Sequence, residues 1–164
     1  MTTAIDSVEL TRVGPGTVMG QLMREYWIPA VMGSEVTRGG PPLRTIIDSG
    51  IHVGAGSDSA QISTLDPWNM IYYMVTGKNA GGNLVNAGQQ ITREEAIRLY
   101  TVANGWFLKE ENELGSIEEG KFGDVVVLSD DYFNPSRVPD EAIRKLHSVL
   151  TVVDGKVVFD ALSR

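Results

Sequence analysis

The run VLTVVDGKVVF, residues 149 to 159, does most to limit what this chain can become. Two β-branched stretches meet at Asp154 and Gly155, and a two-residue connection matched to the right-handed twist of its strands needs positive φ at both positions. Asp and Gly are among the few residues that adopt it readily. The spacing therefore predicts an antiparallel hairpin, and the short run GDVVVLS, residues 123 to 129, predicts a further strand. Between them PDEAIRKLHSV, residues 139 to 149, predicts a small helix.

Upstream the periodicity changes from two to nearly four. In LDPWNMIYYMVTG, Asp66 suits an N-cap, Pro67 the first helical position and Gly77 the end of the last turn. In ITREEAIRLYTVANGWFL, Thr92 and Glu95 have capping-box spacing, and Ala96, Leu99, Tyr100, Ala103 and Phe107 form one apolar stripe, which predicts a single helix. Between these helices NAGGNLVNAGQQ reads as a loop. PLRTIIDSG reads as a short helix with a glycine stop, and IHVGAGSD as a buried strand running into a loop. Near the start, Val18, Leu22, Met23 and Tyr26 recur at helical spacing after a Gly-Pro-Gly turn. TRGGPP, residues 37 to 42, breaks any regular element and predicts a boundary: residues 1–41 on one side, 42–164 on the other. The overall order is helices with one strand, then mostly strands, an α/β piece leading into a small β piece.

Composition narrows the function classes. With no cysteine among 164 residues, disulfides and thiolate metal centres are excluded. A net charge of −7 with no basic stripe argues against nucleic acid. Apolar runs are too short for a membrane span, and the opening MTTAIDSVELTR lacks a secretory signal, so a cytoplasmic location is expected.

Residues 42 to 159 resemble the C-terminal part of the metal-dependent amidohydrolases, closest to the branch described as amidohydrolase family 3. PLRTIIDSGIHVGAGSD, LDPWNMIYYMVTGKN, ITREEAIRLYTVANGWF, LGSIEEGKFGDVVVLSDD and VLTVVDGKVVF follow that family's order. GSIEEGKFGDVVVLS is similar to its G-S-x-x-x-G-K-x-A-D-x-V-V-L pattern, with Gly123 where alanine is usual. The resemblance implies a partial (β/α)8 barrel end, its last strand and helices, followed by strands of a small β-sandwich. Residues 10 to 36 instead resemble the opening of Rieske-type oxygenase subunits. Their iron–sulfur cluster takes two cysteines and two histidines, so no redox function is carried over to a chain without cysteine. Two joined coding pieces, the second a truncated hydrolase, is the expectation.

What the resemblance implies for the site rests on Asp58. Amidohydrolases use the equivalent aspartate, at the C-terminal end of the last barrel strand, as a ligand of a zinc-type divalent metal and as proton acceptor for the attacking water. The bland alternative is an aspartate that caps the turn GSDS. A catalytic site of this kind needs at least three protein ligands. His52 lies six residues from Asp58, roughly 20 Å along an extended strand, and is read as a hydrogen-bonded side chain serving stability. His147 is read as a lone structural or solvated histidine. The acidic pairs Glu94, Glu95 and Asp130, Asp131 are explained by a capping box and a loop. Trp68, Tyr72, Tyr73, Trp106 and Phe107 are read as core or partner-facing aromatics.

Two functions of different class follow. One is metal-dependent hydrolysis of a carbon–nitrogen bond in a small-molecule amide or cyclic amide, with Asp58 as ligand and base and the remaining ligands supplied from elsewhere. The other is a catalytically inactive remnant or interaction module that associates with another chain through exposed strand edges.

Overall fold

The computed structural model describes residues 41–57 and 65–163. The helix expected around Val18 to Tyr26, most of the segment before the expected boundary, and Asp58 itself lie outside them.

The first described helix, α1, is Leu43–Asp48 and ends at Ser49 and Gly50, as the glycine stop implies. Helix α2 is Trp68–Thr76. Pro67 has helical torsions, and the Asp66 carboxylate accepts from the Trp68 N–H at 2.9 Å, so Asp66 caps the helix in the position its spacing predicts. Apolar residues surround α2 on every side, and Trp68, Met70, Ile71, Tyr72, Tyr73 and Met74 are all buried. A helix of that composition belongs at the centre of a core rather than at its edge. Each such side chain contributes ~1.5–3 kcal/mol when fully buried, so α2 is the main apolar anchor of the described chain.

The single helix expected from Thr92 to Leu108 is two. Helix α3 is Arg93–Tyr100, with both halves of the capping box formed, and α4 is Val102–Leu108. At Thr101 the backbone leaves helical space, with φ −119° and ψ −91°. The cause is long-range. A Cβ on Gly115 would sit 2.9 Å from Val102 Cα and 3.0 Å from the Thr101 carbonyl, so the returning loop presses against the break. A helical stripe records which face is apolar and carries no trace of such an approach.

Strands β1 (Val125–Leu128), β2 (Ser148–Val153) and β3 (Lys156–Asp160) form an antiparallel sheet in the order β1-β2-β3. Val127 pairs with Leu150, and Val153 with Lys156 across the turn. Asp154 and Gly155 take φ of 51° and 69°, the two positive values the hairpin demands. The Asp124 carboxylate accepts from the Asp154 N–H at 2.7 Å and ties the turn back to β1. The small helix expected after Pro139 is a 3₁₀ helix, Asp140–Lys145.

The core joins α2 and α3 to the segment that precedes β2. Ile91, Ala96 and Leu99 meet Tyr132, Val138, Ile143 and Leu146 across α2. Arg93 pins the two halves together from the first turn of α3. Its guanidinium donates to the Tyr132 carbonyl at 2.5 Å, the Val138 carbonyl at 2.6 Å and Asp140 Oδ1 at 2.6 Å, while the Tyr132 hydroxyl donates back to the Arg93 carbonyl at 2.8 Å. The sheet reaches this core through Leu128 but leaves Val126, Val127, Val157 and Val158 exposed.

Candidate functional site

The chain leading to Asp58 is fixed by α3 and α4. Residues 51–57 form no strand, contrary to the expectation from IHVGAGSD. A strand needs a ladder partner, and what runs beside these residues is the end of a helix. The Ala55 N–H donates to the Leu99 carbonyl at 3.0 Å, and Asn104 Nδ2 donates to the Ala55 carbonyl at 3.0 Å. Gly54 lies so close to α4 that a Cβ there would fall 2.3 Å from Asn104 Oδ1 and 3.0 Å from the Phe107 ring. The alternating run thus becomes a strap across the helix pair. Its residues Ile51 and His52 are exposed rather than buried.

His52 is not the hydrogen-bonded histidine of a strand end. Its ring stacks on Trp106 with centroids 4.1 Å apart and planes 8° from parallel, and Phe107 meets the same indole edge-on at 5.0 Å. Trp106 and Phe107 are 44% and 51% exposed, whereas Trp68, Tyr72 and Tyr73 are buried, so the aromatics divide between core and surface. His147 lies between the 3₁₀ helix and β2. Its Nδ1 approaches the Lys145 carbonyl at 3.2 Å, and its N–H donates to Ser129 Oγ at 3.3 Å.

Glu95 and Asp130, one from each acidic pair, are tied into the fold. Glu95 accepts from Thr92 N at 2.8 Å and from Arg44 through both oxygens at 2.7 and 2.9 Å. Burial pushes its pKa up, but the Thr92 amide and the Arg44 guanidinium outweigh that and hold it below its ordinary value. Asp130 is held low first by the Asp131 N–H and then by Arg137, with which it pairs at 2.7 Å. The capping-box explanation holds for Glu95 and the loop explanation for Asp130.

A polar cluster that periodicity does not reveal surrounds Glu141. The Tyr72 hydroxyl donates to Glu141 Oε2 at 2.9 Å, Lys78 Nζ pairs with Oε1, and the Arg144 guanidinium lies 5.1 Å from the Tyr72 ring centroid. Lys78, and then Tyr72, hold the Glu141 carboxyl below its usual range, while burial above all raises the Tyr72 phenol. The cluster joins α2 to the 3₁₀ helix through the Tyr72 hydroxyl and Lys78. No sequence spacing would have found it, since its members lie 63 and 69 residues apart.

Among the described residues no three His, Cys, Asp or Glu side chains converge as metal ligands would. No helix among them is long and apolar enough to cross a membrane.

The profile of the amidohydrolase family matches residues 11–159. The chain belongs to that family. An N-substituted formamide deformylase of Arthrobacter pascens is 29% identical over 119 residues, covering 73% of this chain and 21% of that protein. The chain therefore spans about a fifth of the length of that relative. The solved structure of a triazine hydrolase variant superposes on 75% of this chain and 28% of its own, with TM-score 0.54 and 20% identity, a likeness of fold. It agrees with the fold class read from the sequence, an α/β barrel end followed by sandwich-type strands. A short stretch has other kin: over 42 residues the chain is 55% identical to the 3-chlorobenzoate-3,4-dioxygenase oxygenase subunit of Comamonas testosteroni, covering 26% of this chain and 10% of that subunit.

Proposed function

We propose that this chain is an amidohydrolase module whose family chemistry is metal-dependent hydrolysis of non-peptide carbon–nitrogen bonds in small amides or cyclic amides. On its own it turns over little substrate and holds no stoichiometric zinc-type ion. The family match over residues 11–159 supports the reaction class. The observation that carries the second half is the placement of donors. The whole sequence has two histidines and no cysteine. One imidazole lies on Trp106 and the other reaches toward the Lys145 carbonyl. Glu95, Asp130, Asp140 and Glu141 are engaged with arginine or lysine. The described residues do not fit the metal centre that the family implies, and no step through a metal is assigned to them.

Asp58 is, in this reading, a ligand and proton acceptor only when further donors complete the site, and the division of the chain at residues 41 and 42 belongs to the same proposal. The test is to express residues 1–164, dialyse against zinc or manganese, measure bound metal by mass spectrometry and assay hydrolysis of an N-substituted formamide and a cyclic amide. Substoichiometric metal without turnover is expected. A full equivalent of metal with turnover abolished in Asp58→Ala would overturn it.

A second reading, association with another chain through the sheet, is favoured by the exposure of Val126, Val127, Val157 and Val158 at 45–61%. β1 and β3 are the outer strands of the described sheet, where unpaired backbone groups invite pairing. Sedimentation velocity tests this across a concentration series: association reduced by Val126→Lys supports it, and a monomer throughout refutes self-association.

A further inference from the structure

We draw no further inference here: the strongest candidate, the apolar surface of the β1–β3 sheet with Val126, Val127, Val157, Val158 and Phe159 open to solvent, carries none because nothing in the structure shows what covers it.

Discussion

Replacing Arg93 by methionine isolates the contribution of one guanidinium to joining the two halves of the core. The substitution keeps a long apolar stem of helix-favouring character and removes every donor. Two carbonyls, of Tyr132 and Val138, lose their partner in residues that are 2% and 3% exposed. An acceptor left unsatisfied in such surroundings costs ~1–3 kcal/mol. The pair with Asp140 adds little, because that carboxylate is 55% exposed and such pairs are worth ~0–1 kcal/mol. One term opposes the loss. Arg93 opens α3, where a positive charge faces the positive end of the helix dipole, and removing it returns ~0.3–1 kcal/mol. The balance is a destabilisation of ~3 kcal/mol, which for a domain of this size lowers Tm by ~6–12 °C. Urea unfolding followed by circular dichroism, with calorimetry for Tm, measures both quantities. Arg93→Lys should fall between the two, since an ammonium restores the charge but cannot span three acceptors in a plane. A loss below ~1 kcal/mol for Arg93→Met would mean that solvent reaches both carbonyls at once, and the core would not depend on this clamp.

Gly54→Ala forces a methyl into the 2.3 Å gap beside Asn104 Oδ1; the expected outcome is a loss of ~1–3 kcal/mol and faster hydrogen exchange at the Ala55 amide, and an unchanged amide would show that the strap is not held by α4. Glu95 has a folded pKa below its ordinary 4.5, so its contribution is present above that value and is lost as pH falls through the lower folded value; stability of Glu95→Gln should vary less than that of the parent as pH falls below 4.5, and parallel curves would refute the linkage. Tyr100 has a buried hydroxyl with no hydrogen-bond partner among the described residues, and its phenol is pushed up to about 12, first by burial and then by the charge of Asp66. Tyr100→Phe should leave stability unchanged or raise it by up to ~1 kcal/mol, and a marked loss in thermal melts would show that the hydroxyl is satisfied in solution.

The elements legible in the sequence are those whose cause lies within a few residues. Asp154 and Gly155 must both take positive φ, and do. Thr92 and Glu95 satisfy each other across one turn, and Asp66 caps α2 two residues on. Where the cause is distant, the pattern misleads. The stripe from Ala96 to Phe107 runs unbroken through Thr101, yet the helix stops there because Gly115 returns against it. The β-like run from Ile51 reads as a strand because β-branched and small residues suit one, but a strand is a property of two neighbours. The bond to Leu99 and the stack on Trp106 come from helices more than forty residues away in sequence. For the candidate site, the types of the acidic pairs were legible while their partners Arg44 and Arg137 were not, since nothing in local spacing announces a guanidinium from elsewhere.

Those partners decide what the carboxylates can do. To recruit Glu95, a cation would have to displace the Arg44 guanidinium from both oxygens and surrender the Thr92 amide bond that caps α3. It would leave a guanidinium that is 30% exposed with only Asp48 to pair with. Recruiting Glu141 would take the acceptor from the hydroxyl of fully buried Tyr72, while the well-exposed pair with Lys78 adds little. A buried hydroxyl or a capping amide left without its acceptor costs ~1–3 kcal/mol. Metal binding by these acids would therefore be opposed mainly by the lost fold contacts. Among the described residues, these clamped acids are therefore poor candidates for a metal site.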